Sequence, residues 1–356
     1  MEHKQKRVNG TQTTQIKLMI TDFFGFGAHK RRKRRNGTLH KRIRQILFVN
    51  IYFICFFRMP CAHAQQDAMY SQYMWNMLSV NPAYAGSRDA MSINLLGRMQ
   101  WMSIPGAPRT QNLSIHAPTP NKRYGFGLNV VHDQISYIGQ TWLTGSYALR
   151  IPLKVGTLAL GLQATVNNYN INWNRAFLID GADIVPATYG RNLWLPNAGT
   201  GVYYSTKKFY AGLAVPHLLI NSLDKNRPGI YLLKSSTDQA VLKRHLFFMT
   251  GIAIPVSDNI VWKPSILIKY VHAGPLEIDL NTELLLKEKL WIGGSWRTGD
   301  GIVAMLQYQF TPMIRAGYAY DYPFTRLGRF TTGSHELMLG WDLKFKSEAA
   351  VSPRYF

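Results

Sequence analysis

The chain has 356 residues and a formal net charge of +22, with 41 Lys/Arg against 19 Asp/Glu. The first 64 residues hold fourteen Lys/Arg and two acids, so +12 of that charge lies there and +10 remains for residues 65–356. The basicity therefore belongs mostly to a leader and is no argument for a nucleic-acid-binding protein. Both cysteines, Cys55 and Cys61, also fall in the leader, which excludes disulfides and cysteine metal sites from the rest.

Within the leader, Lys41, Arg42 and Arg44 precede the apolar run Ile46 to Phe57, and Ala62-His63-Ala64 follows. A charged region, a short apolar core and a small-x-small site describe an export signal, with cleavage expected after Ala64. The upstream run Lys30 to Arg35 resembles a nucleic-acid patch or nuclear address, but an export signal follows directly, which favours an extended basic region or a start codon placed too far upstream. No lipidation box surrounds Cys61, because Arg58-Met59-Pro60 precedes it. Residues 1–64 are thus read as basic extension and signal peptide.

Residues 65–89 do not alternate. Met69, Tyr70, Tyr73, Met74 and Met77 share one helical face behind Asp67 as N-cap, so the pattern predicts a short helix. Asn81-Pro82-Ala83-Tyr84-Ala85-Gly86 then turns the chain, since Pro82 disfavours αR at Asn81. This segment is expected below the barrel, in its lumen or on a partner.

From residue 90 to 345 the period changes to two. Tyr124, Phe126, Leu128 and Val130 alternate with Gly125, Gly127 and Asn129; Leu158, Leu160, Leu162, Ala164 and Val166 alternate with Ala159, Gly161, Gln163 and Thr165. Successive strand residues face opposite ways, so each ribbon is apolar on one side and small or polar on the other. Fourteen such strands are expected, at about 90–100, 110–117, 124–133, 139–150, 156–167, 199–205, 208–215, 242–254, 260–270, 276–286, 289–296, 301–310, 313–320 and 335–345. Short turns at one end alternate with mostly longer loops at the other. Trp101, Trp142, Trp262, Trp291, Trp296, Tyr320 and Trp341 lie near strand ends, where aromatic girdles sit. No apolar run beyond the leader is long enough for a helical span. The expected fold is all-β: a transmembrane outer-membrane β-barrel of about 14 antiparallel strands with a short helical N-terminal segment, followed by a tail at 346–356. Lumen acids Glu277, Asp279 and Glu283 are expected to be neutralised by Lys269 and Arg315.

Several blocks carry a family resemblance. Tyr70-Ser71-Gln72-Tyr73-Met74, Asn81-Pro82-Ala83-Tyr84-Ala85-Gly86, Arg98-Met99-Gln100-Trp101 with Gly106 to Thr110, Lys208 to His217, and Gln307 to Pro312 with Gly317 to Tyr322 and Gly333 to Glu336 resemble the PorP/SprF family. Members are outer-membrane proteins of the type IX secretion system of Bacteroidetes. The resemblance implies support of export or surface attachment of a large adhesin, linked to gliding motility in some members. It implies partners among the periplasmic and outer-membrane components of that system, and it does not imply catalysis.

The residues offer no competing chemistry. His132, His217, His245, His272 and His335 are dispersed without metal-ligand spacing, and Ser334-His335-Glu336 alternate faces rather than converge. No catalytic residue, metal site, cofactor, small-molecule substrate or nucleic-acid partner is expected. Partner contacts are assigned to Tyr70, Gln72, Tyr73, Asn81, Pro82, Tyr84 and Gly86 on the periplasmic side, and to Trp101, Trp173, Trp194 and the loop around Arg227 outside. The alternative reading is a passive porin or solute channel.

Overall fold

The computed structural model describes residues 68–172, 192–222, 230–231, 241–271 and 274–343. The leader with its cleavage site, Asp67, Trp173, Arg227, His272, Phe345 and the tail at 346–356 lie outside the described residues.

Fourteen antiparallel strands form one sheet: β1 (Met91–Met99), β2 (Arg109–Pro118), β3 (Tyr124–Ile135), β4 (Ile138–Pro152), β5 (Thr157–Ile171), β6 (Asn192–Ser205) and β7 (Phe209–Val215). β8 follows in two pieces, His245–Ile252 and Ile254–Ser257, then β9 (Ile260–Val271), β10 (Glu277–Leu286), β11 (Leu290–Arg297), β12 (Gly301–Gln309), β13 (Ile314–Pro323) and β14 (Ser334–Leu343). Each pairs with its sequence neighbours, and β1 pairs with β14 from Met91↔Leu343 to Met99↔His335. Closure leaves no free edge, and closure is what lets a sheet span lipid with every backbone group paired. Among the described residues no helix is long and apolar enough to cross a membrane.

The period-two pattern sets the two faces. Leu128, Leu143, Leu162, Leu280, Leu306 and Leu339 point outward and are exposed; Asn112, Asn129, Thr165, Asp279, Asn281 and Glu336 point inward and are buried. An exposed apolar band around a closed cylinder is the lipid-facing surface. Trp262 and Trp296 stand in it as expected, but Trp142 and Trp291 face inward, where Trp291 stacks under the Lys263 ammonium at 5.1 Å. Both lie on strands whose inner face also needs large side chains to fill space, so tryptophan there does not mark the girdle.

β4, β5 and β6 run 15, 15 and 14 residues, well past the ~9–11 that cross a bilayer. β6 begins at Asn192, seven positions before its expected start, because Asn192, Pro196 and Asn197 look like loop residues. The excess length rises on the loop side. There Tyr169, Ile171 and Leu195 make an apolar cluster with Tyr137, Ile138, Leu193 and Leu242. A small sheet of Ile220–Ser222, Ile230–Tyr231 and Val241–Leu242 forms in the β7–β8 connection, which Asn197 anchors by donating to the Leu219 carbonyl at 2.8 Å.

A plugged lumen as the candidate functional site

Residues 70–86 fold inside the cylinder. They do so as three single-turn 3-10 helices, Tyr73–Trp75, Met77–Ser79 and Pro82–Tyr84, in place of one amphipathic helix. An amphipathic helix needs a wet face. Here apolar Tyr73, Met74, Trp75, Met77 and Leu78 and polar Ser71, Gln72, Asn76 and Asn81 are all buried, so each backbone turn adapts to the wall beside it.

The contacts come from all sides of the sheet, which is what places the segment in the lumen. Near the loop end, the backbone N–H groups of Ser71 and Gln72 each donate to one oxygen of Glu336 on β14, at 2.8 Å. The Ser71 hydroxyl donates to Asp321 on β13 at 2.8 Å. In mid-barrel, Asn281 on β10 donates to the Tyr73 hydroxyl at 2.6 Å, while Asn76 donates to Asn112 at 2.7 Å and accepts from Ser114 at 2.6 Å, both on β2. Toward the turn end, Asn81 caps the third 3-10 helix through Ala83 N–H and donates to the Val202 carbonyl on β6 at 3.0 Å. Gly86, with φ +70°, donates to His116 Nδ1 at 3.2 Å.

Inward glycines make room for this packing. A Cβ at Gly161 would lie 2.2 Å from the Ala83 nitrogen, and one at Gly125 would lie 2.0 Å from the Ala85 carbonyl oxygen. Neither position tolerates a side chain while the segment is in place.

Charge is paired in tiers. Around the upper lumen, Arg98 bridges Asp321 at 2.5 Å and Glu336 at 3.0 Å, and also donates to the Ser71 hydroxyl at 2.8 Å. Arg297 joins Asp321 at 3.7 Å to Asp279 at 3.1 Å, and Lys269 pairs with Asp279 at 3.0 Å and with Glu277. Lower down, Lys263 meets Glu283 at 3.1 Å. Near the turn end, Asp342 receives Arg315 at 2.6 Å and Arg88 at 2.7 Å. The expected acid stripe is thus neutralised by Lys269, together with Arg297 and Lys263, while Arg315 serves Asp342 instead. Buried charges are tolerated only when paired in this way.

The structure therefore brings Tyr70, Gln72, Tyr73, Asn81, Pro82 and Tyr84 together inside the lumen, all buried, with Gly86 at the turn-end mouth. Trp101 sits apart at the loop end, its backbone N–H donating to the Ser334 hydroxyl at 3.1 Å, over a small cleft lined by Arg98, Arg297, Asp300 and Asp321. Trp194 stands 68% exposed on the outer side of the β5–β6 extension. The clamp residues Arg98, Asp321 and Glu336 were missed as site residues; the signal that would have found them is charge at inward parity on the adjacent strands β1, β14 and β13.

A plugged, closed barrel matches one family along most of the chain: residues 62–341 fit the type IX secretion system membrane protein PorP/SprF. The chain belongs to the PorP/SprF family. No curated protein matches it. Among solved structures it is similar to Omp33 of Acinetobacter baumannii, at 10% identity and a TM-score of 0.42 over 71% of this chain and 98% of that one. It is also similar to the CymD monoaromatic hydrocarbon channel, at 12% identity and 0.44 over 79% and 94%, and to KdgM porin, at 11% and 0.34 over 70% and 98%. At these identities and scores no function passes from them to the PorP/SprF chain.

Proposed function

We propose that this PorP/SprF protein is a non-enzymatic, closed barrel of type IX secretion that supports export or surface attachment of a large adhesin. The observation that supports this reading over a conducting porin is the lumen, filled by residues 70–86 and braced by paired charges. A filled lumen offers no aqueous path, so the useful surface is the outside. Contact with the exported protein is assigned to the raised loop end, with Trp194 on the β5–β6 extension and Trp101 beside the clamp as anchors, and Trp173 as a further candidate. Exposed tryptophan is a frequent hot-spot residue in protein interfaces. Tyr70, Gln72, Tyr73, Asn81, Pro82, Tyr84 and Gly86 would meet a partner only after leaving the lumen.

Two measurements test the reading. The purified protein in planar bilayers should show no steady conductance; a steady open pore overturns it in favour of the porin. In cells, Trp194→Ala with Trp101→Ala should lower surface display of the adhesin while the barrel keeps its heat-modifiable migration. Unchanged display in that double variant removes the assigned surface.

A further inference from the structure

The turns at the end away from the long loops carry an uneven charge. On three successive hairpins the tips hold Lys122 and Arg123 (β2–β3), Lys154 (β4–β5), and Lys207 and Lys208 (β6–β7), all exposed. Among the described residues, Asp89 lies 3.7 Å from Lys122 as a carboxylate partner to these five cations. The opposite wall differs: the β8–β9 turn carries Asp258, the β12–β13 turn Thr311-Pro312-Met313, and the β10–β11 turn sets Glu288 between Lys287 and Lys289, so these three turns together hold two cations and two acids. Hairpins recur every second strand, about 10 Å apart, so the cations form an arc along one side of the rim.

The depth of this arc identifies its partner. On the same hairpins the outward face ends in aromatic residues: Tyr124 stacks on Tyr147 with centroids 6.0 Å apart, and Tyr204 packs on Phe209 at 6.4 Å. Tyr204 also donates to the Val155 carbonyl at 2.7 Å, tying the Lys154 turn to this girdle. Arg123 directly precedes Tyr124, and Lys208 directly precedes Phe209. Aromatic girdles mark the edge of the hydrocarbon, and the headgroup layer beyond it is about 5–8 Å deep on each side. Turns this short hold their cations inside that layer. Leu153 and Val155, 48% and 68% exposed beside Lys154, supply apolar contact at the same level.

We infer that this arc is a binding site for anionic glycerophospholipid, with the phosphodiester headgroups held by Arg123, Lys154, Lys207 and Lys208 and the acyl chains lying against the aromatic residues above them. Each cation near such a surface strengthens attraction on the order of fivefold, and salt weakens it. The site is one-sided, so it fixes lipid along one arc of the barrel instead of around its whole rim.

The test uses the full barrel in detergent, equilibrated with phosphatidylglycerol or phosphatidylcholine, with retained lipid counted by native mass spectrometry. The wild type should retain phosphatidylglycerol over phosphatidylcholine. Lys154→Gln/Lys207→Gln/Lys208→Gln should lose that retention about tenfold or more, while Lys287→Gln/Lys289→Gln changes it little. Heat-modifiable migration confirms folding of each variant, and Lys207→Gln/Lys208→Gln alone should show an intermediate loss. Equal retention of both lipids by the wild type, equal loss in the two variant sets, or lysine-dependent capture of an acidic protein with lipid retention unchanged would each overturn the assignment.

Discussion

Glu336 grips the backbone of Ser71 across 265 positions of sequence, accepting its N–H at 2.8 Å while its own side chain is 0% exposed. Its second oxygen takes the N–H of Gln72 at 2.8 Å, so one carboxylate holds two consecutive amides. It acts on the lumen segment as a side-chain cap acts on a helix start, but from the barrel wall.

Glu336→Ala should therefore loosen the upper end of the plug. It strands two buried amides and leaves Asp321 as the carboxylate paired with Arg98, a loss of roughly 3–5 kcal/mol by analogy with broken buried pairs. Single-channel recording should show brief openings absent from the wild type. Silence equal to wild type would mean that Glu336 does not hold the segment.

The glycines make a controlled pair. Gly161→Ala drives a methyl into the Ala83 nitrogen and should lower the temperature at which heat-modifiable migration is lost. Gly145→Ala, whose added carbon meets nothing within 4 Å, should leave it unchanged. If both behave alike, the close approach at Gly161 is not energetically meaningful.

Lys263 and Glu283, 1% and 0% exposed, test the lumen charges. Glu283→Ala removes the carboxylate paired with a buried ammonium and should cost about 3–5 kcal/mol in urea unfolding. The double variant Lys263→Met/Glu283→Leu should recover most of that loss, because it removes both desolvated charges. Failure to recover would point to a packing role instead.

On the lipid face, Leu162→Arg places a charge in mid-bilayer and should destabilise folding into lipid by about 2–4 kcal/mol. Inward Thr165→Ser, three residues further along the same strand on the other face, should change stability by much less. The two are compared by denaturant titration in the same lipid.

The alternation of Tyr124–Val130 and Leu158–Val166 made the cylinder legible, because one-dimensional parity maps directly onto two faces. The plug was legible only as a segment lacking that parity. Its place depended on pairings such as Ser71–Glu336 and Tyr73–Asn281, which no local pattern encodes. The available hint was the run of small residues at inward parity, Gly125, Gly127 and Gly161, which reads as wall thinning until something is seen to fill it. Trp142 and Trp291 misled for the converse reason: a large aromatic fits a girdle or a filled interior, and strand position alone does not separate them. The outer extension was missed at Asn192–Ala198 because Pro196 and Asn197 suit turns, although Pro196 sits where β6 pairs with Val166.

The plug also has a direction. It starts beside Arg98, Asp321 and Glu336 near the loops and leaves past Gly125 at the turns, from where β1 climbs back. A finished cylinder would have to be threaded like a needle to achieve this. Closing the seam of nine residue pairs between β1 and β14 around strands already wrapped over the segment avoids that threading. Closure of the cylinder thus encloses residues 70–86 within it.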